Sequence, residues 1–196
     1  MLDIRKDATD HRPLLAIDFD DVIFDCDGVL REILKREFRF EATYLEFIKT
    51  NQHMQKDVFR FLYGDYHKNC AVISGARDAI SRLSIFYRMV VITGRSEVVR
   101  PQTEKWLESN FTTIFSKVYF TNSFLSESNQ KKREKVKICI DLGVNVLVDD
   151  SWEETVSVAS VGITALLFDR PWNRGKPSSF NVYRVRDWAH ILTKLL

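Results

Sequence analysis

Three short apolar runs in this 196-residue chain each stop at a polar cluster. Leu14-Leu15-Ala16-Ile17 runs into Asp18-Phe19-Asp20-Asp21, Val90-Val91-Ile92 into Thr93-Gly94-Arg95, and Val146-Leu147-Val148 into Asp149-Asp150-Ser151. Short continuous apolar segments bounded by charge or glycine read as buried strands. Met89–Ile92 frames the second of them; Ile163–Phe168 and, more weakly, Val118–Thr121 add two more. Between them apolar residues recur at helical spacing over Glu97–Glu108, Gln130–Leu142 and Trp152–Ser160, with Pro101 in a first turn, where it is tolerated. Asp187 is placed to cap a closing helix that runs to Leu196. Strands alternating with helices predict an α/β fold with a parallel sheet covered by helices on both faces. Ligands of such sheets bind beyond the carboxyl ends of the strands. The three polar clusters therefore share one rim if their strands are neighbours.

One stretch breaks the alternation. From about Leu30 to Tyr66 no strand signal is present, and Leu34, Phe38, Leu45, Phe47, Ile48, Val58, Phe59 and Leu62 recur at helical spacing. Two or three amphipathic helices inserted after the first strand can act as a lid over a strand-end site, or simply extend the core. Phe38, Phe40 and Tyr44 within the insertion suit either stacking on a base or helix packing.

Composition removes several function classes. A formal net charge of +2 is too mild to point to nucleic acid as a partner, and leaves room for a small anionic substrate. Cys26, Cys70 and Cys139 are scattered, with neither a disulfide framework nor zinc spacing, which fits a reducing compartment. The histidines His11, His53, His67 and His190 likewise lack ligand spacing. Met1–Arg12 is charged and has no apolar signal core, and no segment is apolar for long enough to span a bilayer. The expectation is a cytoplasmic protein with no membrane association and no nucleic-acid partner.

Carboxylates clustered at the end of a buried strand are costly unless a counter-charge neutralises them. A hard divalent cation with oxygen ligands is the usual answer. Asp18-Phe19-Asp20-Asp21-Val22, Val91-Ile92-Thr93, a lysine further on and Val148-Asp149-Asp150 together resemble the four motifs of the haloacid dehalogenase-like (HAD) superfamily of phosphohydrolases. Thr93-Gly94-Arg95, Thr103 with Trp106-Leu107, Val118–Asn122 and Phe168-Asp169-Arg170-Pro171-Trp172-Asn173 are most similar to its 5'(3')-deoxyribonucleotidase branch. The resemblance implies a Rossmann-like core over residues 1–29 and 70–196, with a small helical cap inserted at residues 30–69. It also implies a β-hairpin flap near Ile23–Asp27.

The activity implied is a magnesium-dependent phosphomonoester hydrolase that works through an aspartyl-phosphate, with a nucleoside monophosphate as first-choice substrate. Asp18 is then the nucleophile, because a covalent intermediate divides a difficult hydrolysis into two easier steps. Asp20 is the general acid and base; two residues on along an extended chain, it faces the same way as Asp18. Asp21 reads as a turn residue. Mg2+ is assigned to Asp18, the backbone carbonyl of Asp20 and Asp150, with Asp149 acting through water. Asp149 and Asp150 also suit the N-cap of the following helix. Thr93 is expected to bond a phosphoryl oxygen, Gly94 to allow close backbone approach, and Arg95 to touch phosphate or bridge to the cap. The lysine is aligned to Lys135, with Lys131 and Lys132 as alternates in the same basic run. A phosphatase acting on another small phosphate or a phosphoprotein, and a non-catalytic binding protein of the same fold, are the rival readings.

Overall fold

The computed structural model describes residues 10–41, 43–123 and 134–196. Its centre is β1 (Leu14–Ile17), whose four residues are all buried. It is flanked by β2 (Arg88–Thr93) and β4 (Val146–Asp149). With β3 (Phe115–Phe120), β5 (Thr164–Phe168) and β6 (Val182–Val185) they form one sheet in the order β3-β2-β1-β4-β5-β6. Every pairing is parallel, and Ile17 lies level with both Val91 and Val148. The strand order reverses direction at β1, the topological position where such sheets open a crevice at their carboxyl edge.

Strand residues alternate between faces. Leu14 and Ala16 join one buried cluster with Val90, Ile92 and Leu147, covered by Ile138 and Cys139 of α6 (Lys135–Leu142) and Val158 of α7 (Trp152–Ala159). Leu15 and Ile17 join the other with Val91 and Val148. That face is covered by α4 (Ala76–Leu83), α5 (Arg100–Asn110) and α8 (Trp188–Leu195). The expected α/β architecture with both faces covered is what forms, and Asp187 caps α8 by accepting from His190 N.

Between β1 and α4 the chain is helical: α1 (Cys26–Phe38), α2 (Tyr44–Thr50) and α3 (Gln55–Phe61), then a wide π-helical turn over Leu62–Tyr66 and a 3-10 turn over His67–Asn69. Asp25 caps α1, and Thr43 with Glu46 forms a capping box on α2. Val29, Ile33, Leu34, Phe47, Val58 and Leu62 are continuous with the α4–α5–α8 side of the core. Phe38 and Phe40 pack on Phe47 at 5.2 and 5.1 Å between ring centroids, and Tyr44 lies 5.8 Å from Phe59.

The segment after β1 turns tightly, with Phe19 O accepting from Ile23 N and Phe24 N, and then becomes one arm of a short antiparallel pair. Phe24 bridges Val72, Asp25 N donates to Ala71 O at 3.1 Å and Ile73 N to Ile23 O at 2.8 Å, with the inserted helices from Cys26 onward between the two arms. The turn is tight because Asp21 takes a left-handed conformation with φ 58°, a region that favours glycine. Helix α6 starts at Lys135, and its expected beginning at Gln130 lies outside the described residues, as do Lys131 and Lys132. Strand β6 and helix α4 join the elements anticipated above.

Candidate active site

The carboxyl ends of β1, β2 and β4 deliver their polar clusters to one place. Asp18 N donates to Val148 O at 2.8 Å, so Asp18 leaves β1 still tied to β4. One carboxylate oxygen each from Asp18, Asp149 and Asp150 lies within 4.8 Å of the others. Asp18 and Asp149 are buried, and Asp150 is half-buried. Lys135, in the first turn of α6, reaches in from across the sheet edge with its side chain only 4% exposed. Its Nζ donates to Asp18 Oδ1 at 2.9 Å and to Asp149 Oδ2 at 2.6 Å. Asp149 Oδ1 accepts from Ser151 N at 2.8 Å. Ser151, rather than either aspartate, caps α7 by accepting from Glu154 N.

Among the described residues of the cluster, three carboxylates face one ammonium, an excess of two negative charges if all ionise. Burial raises the Asp18 pKa well above the carboxylate range; Lys135 opposes this, while Asp149, Asp150 and Asp20 add to it. Burial, then Asp149 and Asp21, push Asp150 up to about 8. Burial alone would lower the pKa of Lys135, but Asp149 and Asp18 outweigh it and raise it, so the ammonium stays charged. A set of hard oxygen donors with unbalanced negative charge suits a divalent cation such as Mg2+. Nothing in the cluster favours a softer metal.

Two further contacts brace Asp150. The indole N–H of Trp172 donates to Asp150 Oδ2 at 2.7 Å, and Asn173 Nδ2 donates to Asp150 O at 2.8 Å. Asn173 is buried and also bonds Phe168 O, tying the loop after β5 to the end of β4. The Phe168–Asn173 stretch is recognisable in sequence, but the strand-end positions give no hint that Trp172 and Asn173 serve Asp150. A cleft of about 400 Å³ opens over the cluster; Asp18, Gly94, Lys135, Asp149 and Asp150 line it, as do Ser123, Trp152, Trp172 and Lys176.

Thr93 is fully buried, and its Oγ1 accepts from Arg95 N at 3.2 Å, which leaves its O–H to donate. Gly94 lines the cleft, and its carbonyl accepts from Ser123 N at 2.8 Å, so the end of β3 props the 93–95 turn. Asp21 sits in its turn with Oδ1 accepting from Asp27 N at 2.8 Å; burial lifts its pKa to about 7.

Asp20 and Arg95 form a separate unit. Arg95 Nη2 donates to Asp20 Oδ1 at 2.6 Å and Nε to Oδ2 at 2.8 Å, a two-pronged pair. Arg95 is fully buried, and its Nη1 meets Thr103 Oγ1 at 3.1 Å and His67 Nε2 at 2.7 Å. Arg95 thus joins Asp20 to α5 through Thr103 and to the end of the inserted helices through His67. No helix among the described residues is long and apolar enough to cross a membrane.

A family profile described as "5' nucleotidase, deoxy (Pyrimidine), cytosolic type C protein" matches residues 12–196. A search of curated proteins found no match. Similar solved structures include a predicted phosphatase from Clostridium acetobutylicum, at 13% identity and TM-score 0.67 over 94% of this chain and 98% of that one. YfnB from Bacillus subtilis, a HAD hydrolase solved bound to magnesium, has 13% identity and TM-score 0.62 over 95% and 99% of the two chains. CbbY from Rhodobacter sphaeroides, solved with phosphate, has 14% identity and TM-score 0.62 over 91% and 95%. At these identities the likeness is one of fold.

Proposed function

Because the chain belongs to the family of 5' nucleotidase, deoxy (Pyrimidine), cytosolic type C proteins, and is thereby a HAD-type phosphatase, we propose that it hydrolyses a nucleoside monophosphate through an aspartyl-phosphate on Asp18, with Mg2+ as cofactor. The observation that carries this reading is Lys135 bonded to both Asp18 and Asp149, beside Asp150, on the floor of a cleft. A cation fixed there draws the phosphate in and orients the nucleophile.

In the first step an Asp18 oxygen attacks phosphorus as the bond to the leaving oxygen breaks, and Asp20 supplies the proton to that oxygen. In the second, Asp20 takes a proton from the water that attacks the aspartyl-phosphate, which releases phosphate and restores Asp18. Lys135, the Thr93 hydroxyl and the backbone at Gly94 hold the phosphoryl oxygens and stabilise charge that develops on them. Mg2+ would be held by Asp18, Asp150 and the Asp20 carbonyl, with Asp149 behind a water. When bound it supplies neutralisation of carboxylate and phosphate charge. On this reading residues 30–69 serve as a cap on a core of residues 1–29 and 70–196, and the protein works in the cytoplasm, a compartment that the word cytosolic in the family's description supports.

The test is phosphate release from nucleotides, sugar phosphates and phosphopeptides, with and without Mg2+. Turnover that needs Mg2+ and prefers nucleoside monophosphates is expected, and Asp18→Asn should abolish it while the protein melts as before. A wild type inert across the panel and unable to bind Mg2+ would leave a binding protein of this fold.

A further inference from the structure

Arg95 is an unusual group to find with no exposure at all. Its guanidinium lies 4.3 Å over the Phe19 ring and 4.5 Å over Phe24, with Tyr63 at 5.3 Å. Such an aromatic box suits a cation but fixes little about its orientation. Orientation comes from the donors. Two go to Asp20 in the fork geometry that only arginine offers a carboxylate, and Nη1 goes to Thr103 and His67. A guanidinium can only donate, so His67 Nε2 accepts and the imidazole proton sits on Nδ1. His67 is buried, and it follows the turn that carries Tyr63 at the end of the inserted helices. Its ring lies 5.0 Å from Phe24 and 6.3 Å from Tyr63. Thr103, in α5, in turn donates to Val99 O at 2.9 Å. The chain His67–Arg95–Asp20 therefore runs without a break from the last turns of the insertion to the residue after the nucleophile's neighbour.

We propose that Arg95, held by His67, is a positioning residue that fixes the carboxylate of Asp20 for proton transfer and makes its placement depend on how the inserted helices pack. This rests on the reading of Asp20 as acid and base. The Asp20 carboxylate has four lone-pair sites and the fork uses two. A proton carried on one of the others passes to the leaving oxygen in the first step, and the same site takes one from the attacking water in the second, which restores the starting state. Without the fork the carboxylate turns freely about its side-chain bonds, and proton transfer loses its alignment.

The experiment compares two esters on the full-length protein with Mg2+. p-Nitrophenyl phosphate releases a stabilised phenolate that leaves without a proton; a nucleoside 5'-monophosphate releases an alkoxide that needs one. Arg95→Lys keeps the charge and loses the fork. It is expected to cut kcat/KM, which reports formation of the aspartyl-phosphate and not its later hydrolysis by water, about 10²-fold on the nucleotide and less than about tenfold on the aryl ester. His67→Leu should move the ratio of the two esters the same way by about tenfold, and His67→Gln, which returns an acceptor to Arg95 Nη1, should restore most of it. Equal losses on both esters in variants that melt like the wild type would mean a structural role only and overturn the inference. Should Arg95→Lys fail to fold, the His67 pair decides by the same ratio. If Asp18→Asn abolishes turnover while the ester ratio stays fixed, this inference alone falls. If the wild type hydrolyses neither ester, the parent reading falls and takes it along.

Discussion

Lys135 Nζ stands 2.9 Å from Asp18 Oδ1 and 2.6 Å from Asp149 Oδ2, so one ammonium at the start of α6 ties together the ends of β1 and β4. All three side chains are buried, and among the described residues the lysine is the near counter-charge for both carboxylates. Breaking a buried pair by deleting one partner strands the other charge and costs about 3–5 kcal/mol. Lys135→Met should therefore lose about 3 kcal/mol of stability in metal-free buffer by urea denaturation, and regain part of it when Mg2+ is added. A loss below about 1 kcal/mol, or one that Mg2+ leaves untouched, would contradict the charge balance described for the cluster.

Magnesium binding should strengthen with pH. Burial and the neighbouring carboxylates push Asp150 up to about 8, so its proton is held at pH 6 and leaves towards pH 8. It must leave before a cation is coordinated. The rise in melting temperature caused by Mg2+ should be larger at pH 8 than at pH 6; an equal rise would argue against protonated carboxylates. Trp172 donates to Asp150 Oδ2, and outer partners of this kind are worth about tenfold or more in metal affinity. Trp172→Phe should weaken Mg2+ binding by about that factor in calorimetry.

The stability profile in mild acid carries a separate signature from His67. Burial first, then the charge of Arg95, lower its pKa from 6.5 to about 4. Between those values the unfolded chain binds the proton and the folded one does not, so stability falls as pH drops through that window, by at most about 1.4 kcal/mol per pH unit. The raised carboxylates act in the opposite sense, because there the folded state holds the extra proton. Their contribution is common to both proteins when wild type is compared with His67→Gln. The wild type should lose melting temperature more steeply between pH 6.5 and 4.5 than the variant. Parallel curves would mean that His67 is not buried neutral.

Much of this architecture is local in origin. Leu14–Ile17, Val146–Val148 and the segment around Val90–Ile92 are apolar on both faces, and a strand of that kind is stable only inside a parallel sheet with helices on either side. Their polar ends are legible for the same reason, since charge cannot continue into the core. Strand β6 is harder to read: Tyr183 and Arg184 are exposed at the sheet's edge, and only four residues carry the signal. The tight turn at Asp21 is not legible, because a left-handed residue there lets Phe19 O accept twice and sets Phe24 to bridge Val72 before the chain enters α1.

By itself the sequence determined which strand ends bear carboxylates and that a helical insertion follows the first of them; that the lysine is Lys135, rather than Lys131 or Lys132, is what the family resemblance implies. Strand period, helix spacing and burial of apolar runs act over a few residues, and a single chain displays them. Only the tertiary structure decided who bonds to whom: Lys135 to Asp18 across 117 residues, Trp172 to Asp150 across 22, and Arg95 to Asp20 rather than to the cleft across 75. Those choices depend on which donors a buried charge finds within about 3 Å once the sheet is closed, a matter of distance in space that spacing along the chain does not encode.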